Sequence, residues 1–330
     1  MSSEVTVDAP TEERHPGTTS IDTHTSLDIL RALNTEDATV AGAVGEILPE
    51  LAHLVDRAVD SLRAGGSVHY FGAGTSGRLA VLDAAELRPT FNAPAGLVVA
   101  HHAGGPAALL QAVENVEDDV DLGRSEADVL RPGDIAIGLT ASGRTPFVAG
   151  ALARARELGA VTALVTANPR AEVAVHADIL LAVRTGPEAL TGSTRLKAGT
   201  AQKLVLNSFS TALMIRLGRT WSNLMVDVVA TNAKLRGRVL RILQEATGAD
   251  AEQARVALDD AGGELKPALL SMLAGVDAAR ARDAIATHDG SVARALAALG
   301  SPVPPAPADP TAPTEPTAPT APTAPTAPRP

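Results

Sequence analysis

The segment Ser67-Val68-His69-Tyr70-Phe71-Gly72-Ala73-Gly74-Thr75-Ser76-Gly77-Arg78 carries three signals in succession. Ser67 to Phe71 is rich in β-branched and aromatic residues and predicts a strand. Gly72 to Gly77 predicts a tight glycine-rich turn. From Arg78 to Leu87 the spacing is helical, and Pro89 is expected to stop it. Strand, glycine turn, helix is the repeating unit of a parallel α/β sheet. The alternation continues on both sides. Upstream, Val40, Val44, Leu48, Leu51, Leu54 and Val55 predict one helix over Asp37 to Ala64, ended by Gly65-Gly66. Downstream, strands are expected at Leu97–Ala100, Ile135–Leu139, Val161–Val165 and Ile179–Val183, with helices at Pro106–Val120, Pro146–Leu158 and Thr200–Leu217. The fold class is therefore α/β: a parallel sheet sandwiched by helices on both faces, flavodoxin-like, plus a small C-terminal helical region.

That C-terminal region repeats itself with an offset of 27. Asp250, Ala254, Arg255, Leu258, Gly263 and Leu269 align with Asp277, Ala281, Arg282, Ile285, Gly290 and Leu296. Each copy reads as two short helices around a glycine turn, stacked so that the hairpins bury each other. Beyond it, Thr-Ala-Pro recurs to Pro330. Proline at that density removes amide donors and favours extended chain. The expected organisation is an N-terminal arm (1–25), the α/β domain (26–235), a region of helical, UBA-like hairpins (236–300) and a disordered tail (301–330).

Composition narrows the function. The 330 residues carry a net charge of −10 and no long basic block, so a phosphate-backbone footprint for nucleic acid is not expected. Aromatics make up 2% of the chain, which excludes stacking platforms for single strands. There is no cysteine, which removes disulfides, thiolate metal sites and a cysteine nucleophile. The apolar runs are strand-length and the N-terminus lacks an apolar leader core, so a soluble, cytoplasmic protein without membrane contact is expected.

Three turns carry candidate chemistry. The first holds Gly74, Thr75, Ser76 and Gly77. Its string matches G-x-G-x-x-G, but no acidic residue follows at the distance a dinucleotide ribose requires, and its two hydroxyls suit a terminal phosphomonoester. The second holds Ser142, Gly143, Arg144 and Thr145; the third holds Ser193, Thr194 and Lys197. All three follow strands or open helices, so they could converge at the C-terminal edge of one sheet, where open α/β sheets bind ligands. The alternative is that they are ordinary helix caps, for which Ser and Thr are favoured. Among the acids, Asp118 and Asp119 read as a solvated face. Glu86 stands in an apolar context in which partial burial and a raised pKa are expected. His101-His102 follows a strand and reads as loop or edge filler, because no partner ligands stand at metal spacing.

Taken together, these blocks resemble the N-acetylmuramic acid 6-phosphate etherase family, which has the sugar isomerase (SIS) fold. The resemblance spans about Thr11 to Leu299 and includes Asn34-Thr35-Glu36-Asp37, Gly72 to Leu79, Pro89-Thr90-Phe91, Ala103-Gly104-Gly105, Ala141 to Pro146, Thr191 to Asn207 and Asn223 to Val228. It implies a lyase of cell-wall amino-sugar recycling, a homodimer, and neither metal nor nucleotide cofactor. The family's two acidic functional positions fall on Glu86 and Glu117. The resemblance further implies that Glu86 donates a proton and Glu117 is its acid/base partner. The sequence departs from the family pattern at Ala85, at Leu87-Arg88 and at Ala100-His101-His102. Two other functions stay open from the residues alone: an aldose/ketose isomerase acting on a sugar phosphate, and a non-catalytic sugar-phosphate sensor.

Overall fold

The computed structural model describes residues 9–111, 113, 115–228 and 233–301. The Thr-Ala-Pro tail and most of the first ten residues lie outside them, as does Glu114. Helices α1 (Ser26–Asp37), α2 (Val40–Gly45) and α3 (Leu48–Arg63) precede strand β1 (Val68–Gly72) and helix α4 (Gly74–Phe91). Then come β2 (Val98–His102), α5 (Ala107–Leu110), α6 (Val120–Ala127), β3 (Ile135–Leu139), α7 (Pro146–Glu157), β4 (Val161–Thr166), β5 (Ile179–Ala182) and α8 (Lys197–Arg216). The five strands form one parallel sheet in the order β2-β1-β3-β4-β5, with Gly72 level with His102 on one side and Leu139 on the other.

Side chains alternate across this sheet, so consecutive residues serve different cores. Tyr70, Ile137 and Val165 face α3, α4 and α8, while Phe71, Ala136 and Leu164 face α6 and α7. A third cluster lies outside the sheet. It joins a short hairpin, β6 (Thr220–Trp221) and β7 (Leu224–Met225), to helices α9 (Ala233–Thr247), α10 (Ala251–Asp260), α11 (Leu265–Ala274), α12 (Ala278–Thr287) and α13 (Val292–Ala298). The repeat is visible in its caps. Asp250 accepts from the Gln253 amide at 2.8 Å and Asp277 from the Arg280 amide at 2.7 Å, while Gly263 and Gly290 both turn with positive φ.

Four local expectations are corrected. The single helix over Asp37 to Ala64 is broken at 46–47, with a 60° bend between the α1–α2 pair and α3. Pro49 has no amide to bond the carbonyl of Gly45, so a continuous helix cannot pass there. In contrast, α4 starts at Gly74 and runs through Pro89 to Phe91. Pro89 leaves unbonded only the carbonyl of exposed Ala85, and Asn92 in the left-handed region (φ 50°) closes the helix. The helix over Pro106 to Val120 is only the turn α5; Asn115 has φ 65° and Asp119 caps α6 instead, so Glu117 stands in a turn. Finally, β2 extends to His102, so the two histidines end a strand rather than follow one.

Asp83, on the inner face of α4, accepts from Tyr70 Oη at 3.0 Å and Ser210 Oγ at 2.9 Å. Burial pushes its pKa up to about 6, against the pull of those two hydroxyls and Lys203. A carboxyl with a raised folded pKa favours folding when protonated. Its contribution is complete below about pH 4 and disappears as pH rises through about 6, a change of at most about 3 kcal/mol. Asp83→Asn is expected to remove this slope, so the stability gap between variant and wild type should shift in the variant's favour between pH 4 and pH 6. Denaturant midpoints across that range measure it, and parallel curves would refute it.

Candidate active site

Strands β1 and β3 are neighbours, but their chain connections leave in opposite directions along the sheet. This is the switch point at which such sheets open a crevice beyond their carboxyl ends. The first two hydroxylated turns occupy it. In the first, Ala73 precedes α4 without a side-chain cap, so the amides of Gly74, Thr75 and Ser76 remain free of side-chain acceptors at the positive end of the helix. In the second, Thr140 organises the loop. Its Oγ1 accepts from the Gly143 amide at 3.2 Å and bonds Thr145 Oγ1 at 2.8 Å, and Asn168 donates to the Ser142 carbonyl at 2.9 Å. Helix α7 likewise starts without a side-chain cap. The cap reading is therefore wrong for Ser76 and Thr145, whose hydroxyls cap neither helix.

The third turn differs. Buried Glu188 accepts from the amides of Lys197 and Ala198, both at 2.9 Å, and so occupies the N-terminus of α8. Burial raises its pKa, and these amides and Lys197 pull it back only in part. Lys197 Nζ lies 2.7 Å from Glu36, which also meets His15 at 3.1 Å. Burial raises the Glu36 pKa, but Lys197 and His15 outweigh it and hold the carboxyl below its usual value. Ser193 and Thr194 remain half-buried in the turn. A Cβ placed on Gly199 would stand 3.6 Å from the Thr75 methyl, which puts this turn beside the first. The N-terminal arm closes over it: Gly192 donates to the Thr11 carbonyl at 3.1 Å and Thr18 to the Ala189 carbonyl at 2.8 Å.

Glu117 belongs to the same constellation. Its carbonyl accepts from the Phe147 amide in the first turn of α7 at 3.0 Å, and its residue lines a small cavity with Gly74 and Arg78. The fold thus brings together Ser76, Ser142, Ser193, Thr194 and the Glu117 turn. It does not bring Glu86 with them. Glu86 is exposed on the outward side of α4, beside Ala85 and Leu82, so the expected burial is corrected: the inward positions are Gly77, Ala80, Asp83 and Leu87. Arg144 also points elsewhere, its Nε 2.8 Å from Glu172. Thr140, Glu188 and Glu36 were not singled out as site residues. Glu36 lies in one of the resembling blocks, but nothing in its neighbours signals its distant partner Lys197.

Gly143 is fixed by this geometry. Its φ is 75°, and an added Cβ would lie 2.7 Å from the Ala171 Cα. Gly143→Ala is expected to cost at least about 2 kcal/mol from strain and backbone displacement. Thermal unfolding measures it, and an unchanged midpoint would show that the loop relaxes freely.

Among the described residues no group of three His, Asp or Glu could hold a metal, and no single helix is long and apolar enough to cross a membrane. A parallel sheet whose crevice is lined by hydroxylated turns is the architecture of a SIS domain. The SIS domain model matches residues 107–212, and that of the glucokinase regulatory protein N-terminal SIS domain matches 50–156. Within this class the relatives are specific. The N-acetylmuramic acid 6-phosphate etherase of Thermobifida fusca is 60% identical over 267 residues, covering 81% of this chain and 88% of that protein. The protein of the same name from Pectobacterium atrosepticum is 50% identical over 86% of this chain and 95% of its own length. The chain belongs to the N-acetylmuramic acid 6-phosphate etherase family. Among solved structures, a phosphoheptose isomerase from Francisella tularensis aligns at 21% identity and a TM-score of 0.48, over 58% of this chain and 100% of that one.

Proposed function

We propose that this chain is a carbon–oxygen lyase that cleaves the D-lactyl ether of N-acetylmuramic acid 6-phosphate in cell-wall amino-sugar recycling. The products are D-lactate and N-acetylglucosamine 6-phosphate. One observation carries the reading beyond kinship: two helix N-termini without side-chain caps, α4 with hydroxyls in its first turn and α7 with hydroxyls just before it, flank the switch point, and the Glu117 turn is bonded to α7. A phosphate dianion suits the free first-turn amides of α4, and Ser76, Ser142, Ser193 and Thr194 supply hydroxyl donors around it. Holding the phosphate fixes C2 and C3 of the open-chain sugar relative to the acids.

In the open chain C1 is an aldehyde, so the C2 proton is acidic enough for a carboxylate to remove. Glu117 takes it. The C3–O bond then breaks, its electrons leave with the lactyl oxygen, and Glu86 protonates that oxygen. Water adds at C3 of the unsaturated aldehyde and C2 regains a proton. Glu117 stands in the turn bonded to α7 and Glu86 on the outer face of α4, both exposed, so their separate places in the fold are what suit them to opposite roles. The exposure of Glu86, Ala85 and Leu82 (53% exposed) supports a two-fold dimer in which this face of α4 meets its copy and Glu86 enters the neighbouring crevice. Incubation with N-acetylmuramic acid 6-phosphate should release D-lactate. Isomerisation of a hexose phosphate lacking the lactyl group, with no lactate formed from the ether, would replace this reading with an isomerase.

A further inference from the structure

His102 is the last residue of β2, buried against the first turn of α4, where a Cβ on Gly77 would stand 2.9 Å from its Cδ2. Its Nδ1 lies 2.7 Å from the Ala103 carbonyl. A carbonyl can only accept, so Nδ1 carries the hydrogen, and the neutral ring presents a lone pair at Nε2. That nitrogen is buried and has no hydrogen-bond partner among the described residues. Such an orphan acceptor is costly and calls for a donor. The ring lines a cavity of about 80 Å3 together with Glu117 and Arg78. Arg78 is not that donor: its guanidinium is bonded to the carbonyls of Leu109 at 3.0 Å and Ala108 at 2.8 Å. Pockets for small organic ligands run to roughly 300–1,000 Å3, so this one suits water and not a sugar phosphate. Val113 and Val116 form an apolar side of it, and of its lining residues only His102, Glu117 and the already bonded Arg78 carry polar side chains, with Glu117 exposed at its edge.

We propose that His102 is the proton partner of Glu117, joined to it by one water in this cavity; this rests on Glu117 being the base at C2. When C2–H breaks, its electron pair moves toward C1 and the proton goes to the Glu117 carboxylate. The carboxyl passes a proton to the water, and the water passes one of its own to Nε2. Nδ1 keeps its bond to Ala103 throughout. The imidazolium and the water exchange with solvent, and the path reverses to return a solvent proton to C2 during water addition. No electrons are gained or lost overall.

The test is a single turnover of C2-protiated substrate in deuterium oxide, reading deuterium at C2 of the sugar product. The wild type should place solvent deuterium there in most molecules. His102→Ile suits a strand end, and His102→Gln can accept a hydrogen bond without carrying a proton. Both should cut the C2 deuterium at least about threefold by internal return, while lactate release falls less than about tenfold. A purely structural role would be rescued by glutamine, whereas the relay would not. Wild-type deuterium content in either folded variant overturns the proposal. So does a wild type that keeps its C2 protium, or a folded His102→Gln that releases no lactate. A Glu117→Gln control separates the two ideas: if it exchanges C2 normally, the Glu117 assignment falls, and if only the His102 variants behave as wild type, the relay falls alone.

Discussion

Glu117→Gln is expected to lower kcat by roughly 10²-fold or more, the usual loss when a general base is removed. Its turn is held by its own backbone, through the Phe147 amide on the Glu117 carbonyl, and not by the side chain. Replacing the carboxylate by its amide therefore leaves the loop and the helix end in place, and KM should change little. Glu86→Gln should lose activity on the same scale by a different route. Exchange of the C2 proton with solvent tells them apart: it should stop in Glu117→Gln and persist in Glu86→Gln, which keeps its base and lacks its acid. The reverse pattern would exchange the two roles. Undiminished lactate release from both variants would remove the carboxylate mechanism altogether.

The parts of this site that could be read from the sequence are those set by chain-local rules. A strand followed by glycines and a helix identifies the first loop, because the turn needs residues that tolerate close approach: Gly72 would place a Cβ 2.9 Å from the Gly77 amide nitrogen. The second loop follows the same rule. Longer-range pairings left no such mark. Glu188 looks like an ordinary polar residue until the fold lays it across the N-terminus of the helix that Lys197 opens. Glu36 and Lys197 are separated by 161 positions. The surroundings of Glu86 were misread because its neighbours in sequence are apolar. On α4, however, Leu82 and Ala85 share its outward side while Asp83, the more polar residue, faces the core. Apolar context predicts burial only if the apolar residues face the same core. Here Leu87 faces the core while Leu82 and Ala85 face outward with Glu86. The short α5 shows the opposite failure: helical spacing was present, but Asn115 in the left-handed region and the Asp119 cap overrode it.

Mixing Glu86→Gln subunits with Ser76→Ala subunits should restore activity that neither has alone. Both residues lie in α4, and that helix is unbroken from Gly74 to Phe91. Ten residues at 1.5 Å each separate them by roughly 15 Å along the axis. A hexose phosphate held at Ser76 extends over only part of that length to C2 and C3, so a Glu86 acting on the substrate held by its own helix is geometrically awkward. In a two-fold dimer the neighbour's Glu86 can reach it. A mixed dimer then has one crevice with intact Ser76 and intact Glu86, and one crevice with both residues lost. With random exchange half the dimers are mixed, so about one quarter of wild-type activity should return. If Glu86 served its own subunit, every crevice in the mixture would still lack one residue, and exchange would restore nothing. Verified subunit exchange without recovery would therefore place Glu86 in its own crevice, and would require α4 to unwind before Glu86 when substrate binds.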